Sequence, residues 1–357
     1  METTQRTTTI QALAAAALFG ASAPIAKLLL GQVDPIFLAG FLYLGSGAGI
    51  LLFKLLLSSR SADAESEAKL SRPDVPWLIG AVVAGGLLAP IVLMFSLRET
   101  AASTASLLLN FEGVATALIA AIVFREAISG RALWAVIAVT VGSILLSWTT
   151  EGTWGFSLDA LGIVAACFLW GIDNNLTRNI SAKDPLTIVL VKGLGAGSVS
   201  FVLALLLGNP LPPISTILGA MLLGSLSYGL SIVLFIRAMR GLGAARTSAV
   251  FGTAPLAGVV LSFVLFQDAP TLMFGGALVL MMAAMVLLLT EKHVHQHRHE
   301  AVTHEHRHRH DDGHHDHNHP NMTSRSLAHS HVHTHEAMEH EHPHLPDIHH
   351  RHVHREA

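Results

Sequence analysis

Histidine is missing from the first 292 residues of this 357-residue chain, and all 23 histidines lie between His293 and His354. Cysteine is almost missing as well, Cys167 being the only one. Charged residues make up 13% of the chain, about half the fraction usual in soluble domains. Each shortage excludes something. A single cysteine forms no internal disulfide and no thiolate metal cluster. A body without histidine or a reactive cysteine pair lacks the groups on which hydrolytic and redox chemistry usually run. No enzymatic constellation emerges from what remains. The net charge of −3 counts histidine as neutral, and no nucleic-acid partner is expected.

What is present is apolar sequence, 51% of the chain, in long runs with charges clustered between them. A membrane span needs about 20 mainly apolar residues. Ten runs meet that length, at about 9–30, 35–57, 75–97, 100–124, 131–149, 157–178, 185–207, 214–237, 244–266 and 270–290. No soluble core explains ten such runs in series. The expected fold is therefore all-α: a polytopic membrane protein of ten transmembrane helices in a lipid bilayer. Ala21-Ser22-Ala23 resembles a signal-peptidase site, but Pro24 would follow the cut and the apolar stretch continues to Leu30, so a retained first helix is expected.

Positive charge orients the spans. With an inward N-terminus, one set of loops holds Arg60, Lys69, Arg72, Arg125, Arg131, Arg178, Lys183, Arg240 and Arg246. The other set holds Arg98 together with the acids Asp34, Glu151 and Asp268. That bias places both termini in the cytoplasm and the chain in the inner (plasma) membrane. The sequence also repeats. Phe19-Gly20, Lys27, Asp34-Pro35, Gly45 and Gly47 recur in order as Trp170-Gly171, Arg178, Asp184-Pro185, Gly195 and Gly197. Further on, Arg98, Ser106, Ala115, Phe124 and Glu126 match Arg240, Ser248, Ala257, Phe266 and Asp268. Five spans per copy is an odd number, so the second copy enters the bilayer upside down. The expected organisation is two inverted five-helix repeats, residues 1–149 and 150–290, and a polar tail, 291–357. Inverted repeats with a site between them are characteristic of alternating-access transporters.

These pieces resemble the EamA-like family of the drug/metabolite transporter superfamily. The resemblance is carried by the F/W-G start of each repeat and by the fourth helices ending in Phe124-Arg125-Glu126 and Phe266-Gln267-Asp268. The preceding loops, Arg98-Glu99-Thr100-Ala101-Ala102-Ser103 and Arg240-Gly241-Leu242-Gly243-Ala244-Ala245, belong to it too. It covers residues 10–290 and implies export or import of a small solute, without choosing which. Glu112-Gly113 stands opposite Ala254-Pro255, so the proline break usual at that place is present in the second half only. No G-x-x-x-x-G-K-[ST] pattern occurs, so active transport would draw on an ion gradient.

An ionised side chain at mid-membrane costs about 2.5–3.5 kcal/mol and needs a reason. Glu112, beside Asn110 in the fourth span, reads as a proton- or cation-coupling carboxylate, or as a structural acid paired to a lysine. Asp173-Asn174-Asn175 points around the sixth helix, so at least one of the three must face protein or water. Lys192 is within reach of Asp173 if their helices pack. Lys27 either serves the site or snorkels to the headgroups, and Arg237 reads as an anchor. Tyr228, like Tyr43 and Trp170, either lines a cavity or packs. The substrate or coupling-ion set is thus Glu112, Asn110, Asp173, Asn174, Lys192, Lys27 and Tyr228. Glycines such as Gly47, Gly85, Gly193 and Gly197 read as points of close helix approach.

The tail carries H-x-H repeats: His293, His295, His297 and His299; His304, His306, His308 and His310; His329, His331, His333 and His335; with His314, His315, His317 and His319 between them. Imidazole suits Zn, Ni, Co and Cu, and eleven acids from Glu291 to Glu356 add oxygen donors. With so few apolar residues the tail is expected to be disordered until a ligand orders it. Metal binding, pH response and neutral low complexity are its three readings. No cofactor is required, and a homodimer is compatible with the layout. The expected function is a secondary transporter of a small metabolite with a metal-binding cytoplasmic tail. A divalent transition-metal (Zn/Ni/Co) transporter that loads from the tail is one alternative, and a membrane-anchored metal buffer or sensor is another.

Overall fold

The computed structural model describes residues 2–58, 68–124, 130–149, 155–181, 183–242, 247, 250–267, 270–289, 294–298, 302–308, 329–335 and 339–343. Eight helices are long and apolar enough to cross a membrane: α1 (Arg6–Leu29), α2 (Pro35–Leu56), α3 (Arg72–Glu99), α4 (Ala102–Val123), α5 (Gly130–Ser147), α6 (Leu158–Arg178), α7 (Pro185–Leu206) and α8 (Ile214–Ala238). They coincide with the first eight apolar runs. Two shorter apolar helices, α9 (Ala254–Phe266) and α10 (Leu272–Leu287), stand where the ninth and tenth runs lie. The charges at Arg60, Arg125, Glu126, Glu151, Arg246 and Asp268 fall outside the described residues.

Local sequence starts these helices in recognisable ways. Asp34 and Asp184 each precede a proline, and each carboxylate accepts the backbone N–H two residues on, Ile36 at 2.9 Å and Leu186 at 3.0 Å. Aspartate at the cap satisfies an orphan donor, and proline suits the first helical position. Ser157 caps α6 by accepting from Ala160 N–H. A two-stranded ladder, β1 (Trp148–Thr149) with β2 (Gly155–Phe156), joins α5 to α6.

Interior and exterior are both apolar. Phe37, Leu38 and Leu42 of α2, Leu93 and Leu97 of α3 and Ile163 of α6 are fully buried in one cluster. A second cluster joins Leu107 and Val114 of α4 to Val139 of α5 and to Phe274 and Met281 of α10. Yet Ile122, Leu206 and Leu272 remain 75%, 79% and 94% exposed. A bundle that turns such side chains outward has lipid as its solvent, and the protein is a polytopic membrane protein. Helices approach closely where glycine permits it. A Cβ at Gly193 of α7 would sit 2.6 Å from the Gly47 nitrogen of α2, so only hydrogen fits at that crossing.

Three departures from straight α-helix set up the interior. α3 is π-helical over Val82–Leu88, and α8 over Ser225–Leu230. These segments occupy matching places in the two halves. α4 is not one helix but two, Ala102–Leu108 and Phe111–Val123, separated at Leu109–Asn110. The expectation that only the proline-bearing half breaks is therefore corrected. In the first half Asn110 takes the place of proline, its backbone N–H and its side-chain amide both donating to the Leu107 carbonyl at 3.1 and 3.0 Å. In the second half Thr253 does the same to Val250, through its N–H at 3.1 Å and its hydroxyl at 2.7 Å, just before Pro255 in α9.

Beyond α10 the chain continues into the tail. It contains four short strands, β3 (Val294–Arg298), β4 (Val302–His308), β5 (His329–His335) and β6 (Glu339–Pro343), with β3 antiparallel to β6 and β4 to β5. An H-x-H sequence interleaved with Val and Thr has the period of two that an extended chain favours.

Candidate functional site

The polar centre of the body is built where α6 meets α3, α4 and α7. Asp173 of α6 is buried, and the Lys192 ammonium of α7 donates to it at 2.7 Å. Paired in this way, neither charge is left alone in an apolar interior. The carboxylate lies against the π segment of α3, where a Cβ on Gly85 would collide with Asp173 Oδ2. The Ala89 N–H bonds the Ala84 carbonyl and Pro90 has no N–H to donate, which leaves the Gly85 carbonyl open to side chains. That oxygen accepts from the Tyr43 hydroxyl at 2.6 Å and from Trp170 Nε1 at 3.0 Å. Gly85 thereby fixes a tyrosine of α2, a tryptophan of α6 and the ion pair around one point.

Glu112 enters this centre from the break in α4. It lies in the first turn of the second half-helix, Phe111–Val123, where the positive end of the helix dipole favours a carboxylate by about 0.3–1 kcal/mol. Asn174 Nδ2 donates to its Oε1 at 2.9 Å and also to the Thr116 hydroxyl at 3.1 Å. Glu112 is half-buried and Asn174 exposed, so this pair forms the accessible rim of the cluster. The cluster thus holds two carboxyl groups in different settings: Asp173 is paired with the Lys192 ammonium, whereas Glu112 is bonded to the neutral Asn174 amide.

The polar triplet of α6 divides as its helical geometry requires. Asp173 turns to α7 and Asn174 to Glu112. Asn175 is buried, its amide donating to the Thr116 carbonyl at 3.1 Å and the Gly171 carbonyl at 2.8 Å. Tyr228 belongs to the π segment of α8 and stacks on Tyr43, with ring centroids 6.0 Å apart. Phe19 of α1 meets the other edge of Tyr228 at 5.8 Å. Asn110 is used in the α4 break and points its amide at Met281 Sδ, 3.8 Å away, rather than at the ion pair. Lys27 is elsewhere too. Its ammonium caps the end of α3, donating to the carbonyls of Leu97 at 3.0 Å, Arg98 at 3.3 Å and Thr100 at 2.5 Å. Arg237 lies over the Phe53 ring, 5.2 Å from its centroid.

Sequence reading missed Thr116 and a clamp between α2 and α7. Lys54 Nζ donates to Asp184 at 2.7 Å and to the Thr187 hydroxyl at 2.7 Å. Burial pushes the Asp184 carboxyl up, but hydrogen bonds from Lys54, Thr187 and the Leu186 N–H, with the Lys54 charge, outweigh it. The group is held below its ordinary 3.8. Lys183 lies 3.7 Å from Asp74 at the same end of the bundle. Of the tail histidines, His295, His297, His304, His306, His308, His329, His331, His333, His335, His340 and His342 lie on the described strands. His293, His299, His310, His314, His315, His317 and His319 lie outside the described residues.

A bundle of discontinuous helices around an ion pair and a half-helix carboxylate defines a membrane transporter class. Residues 7–148 and 158–290 each match the EamA-like transporter family, and the chain belongs to that family. A protein of Methanothermobacter thermautotrophicus described as an uncharacterized transporter is 27% identical over 295 residues, covering 78% of this chain and 85% of that protein. A solved crystal structure superposes with a TM-score of 0.58 at 17% identity, covering 79% of this chain and 98% of the other, a likeness of fold alone. The protein is a membrane transporter of small solutes.

Proposed function

We propose that the protein moves a small polar metabolite by alternating access between two inverted repeats, with a proton or other cation coupled at Glu112. One observation carries this reading: a carboxyl group at the start of a broken helix, bonded to a neutral amide, shares the polar centre with a buried Asp173–Lys192 pair. Charges placed there without a transport role would each cost about 2.5–3.5 kcal/mol for nothing gained. Tyr43, Trp170 and Tyr228 supply apolar walls with polar tips around them. The matching π segments and matching breaks in the two halves support exchange of one helix packing for its mirror.

The bias of basic residues among the loops supports cytoplasmic termini in a plasma-membrane protein. There the histidine tail binds Zn, Ni, Co or Cu. Metal as cargo is the weaker reading. The central donors are oxygens, one carboxylate is taken by Lys192, and no group of three His, Cys, Asp or Glu able to hold a metal occurs among the described residues. Such oxygen donors suit Mg or Mn better than Zn or Ni.

The test is counterflow of a metabolite panel in sealed proteoliposomes, comparing the wild-type protein with Glu112→Gln. At least one solute moves in the wild type, and Glu112→Gln slows it tenfold or more while the unfolding midpoint hardly changes. Equal flux in the two proteins would remove Glu112 from the coupling role.

A further inference from the structure

The two strand pairs of the tail place histidine directly opposite histidine. In β4 and β5 the partners are His304 with His333, His306 with His331 and His308 with His329. In β3 and β6 they are His295 with His342 and His297 with His340. Of the eleven histidines on these strands only His335 faces something else, Val302. The intervening register positions carry none. They pair Thr303 with Thr334, Glu305 with Val332 and Arg307 with Ser330, and in the other ladder Val294 with Pro343, Gln296 with Glu341 and Arg298 with Glu339. Because neighbours two apart share a face, His304, His306, His308, His329, His331 and His333 fall on one face of their ladder. A slip of one residue would set every one of them opposite a different residue type.

This arrangement has a consequence for metal binding. Two imidazole nitrogens on one tetrahedral ion stand about 3.3 Å apart at metal–nitrogen distances of about 2.0–2.1 Å. Directly opposed residues in an antiparallel ladder have Cα atoms about 4.5–5.5 Å apart, whereas neighbours along one strand are about 6.5–7 Å apart. The opposed pair is the closer match. We propose that the tail binds divalent transition metals across the strands, with the opposed pairs His304–His333, His306–His331 and His308–His329 as the chelating units and His295–His342 and His297–His340 as a second set. This rests on the tail being a metal binder, and adds to it which histidines act together. An isolated two-stranded ladder is marginally stable in water. The ions therefore hold the strands together, and the tail closes into a hairpin as cytoplasmic metal rises.

The test counts cobalt bound per chain by full-length protein in detergent, read by metal analysis and by the visible absorption of tetrahedral Co²⁺. His304→Ala/His333→Ala removes both members of one pair. His304→Ala/His306→Ala removes one member from each of two pairs. The two variants lose the same number of imidazoles, but cross-strand pairing makes the second lose about twice as many ions as the first. Equal losses, or a larger loss in the first, would overturn the pairing while leaving the tail a metal binder. If full-length protein binds no more cobalt than a chain stopped after Lys292, the metal-binding reading itself fails.

Discussion

The membrane body and the tail solve opposite problems with opposite residues. In the body every described ionised group near the centre is held by another protein group: Asp173 by Lys192, Glu112 by Asn174. In the tail the strand register sets histidine opposite histidine. The body has oxygen donors in a fixed apolar frame, suited to a solute that is bound and released. The tail has nitrogen donors on a weak frame, suited to an ion that organises it. On the function proposed above, solute chemistry and metal chemistry are separated along the chain.

That contrast breaks most visibly at the ion pair. Asp173→Ala strands the Lys192 ammonium in the interior, and removing one partner of a buried pair costs about 3–5 kcal/mol. We expect a large fall in the unfolding midpoint of the detergent-solubilised protein. Asp173→Ala/Lys192→Ala recovers most of that stability but not transport. We expect a metal chelator to leave the wild-type midpoint where it was. A chelator effect as large as that of Asp173→Ala would mean the body depends on metal.

A smaller effect sharpens the same contrast through pH. Asp184 has its pKa lowered in the folded protein, so its contribution to stability is fully present above the ordinary carboxyl value. It is lost as pH falls through the lower folded value. The pair is partly exposed, so the contribution is modest, of order 1 kcal/mol or less. Unfolding midpoints taken down to pH 3 should fall less steeply in Lys54→Ala than in the wild type.

The apolar runs showed where the helices lie because bilayer thickness imposes a length that few other structures share. Asp173 and Lys192 were readable as partners because they lie 19 residues apart on consecutive spans. Lys54 and Asp184 were not, being 130 residues apart and each reading as an ordinary boundary charge. The break in α4 was hidden because Asn110 opens the helix through a side-chain amide, with no proline to mark the place. The π segments were hidden too. Gly85 lies against Asp173 there and Ser225 donates to the Gly45 carbonyl, contacts between helices that no local window contains. In the tail, period two announced extended chain, but pairing across some 20 to 45 intervening residues has no local signature.

The most direct measurement is zinc, nickel and cobalt flux into sealed proteoliposomes holding full-length protein, the chain stopped after Lys292, or Glu112→Ala. If metal is read by the tail and not carried by the body, the full-length protein binds these ions, the truncated chain does not, and none of the three moves metal across the bilayer. Metal flux through the full-length protein that Glu112→Ala abolishes would contradict the account and make the metal itself the cargo.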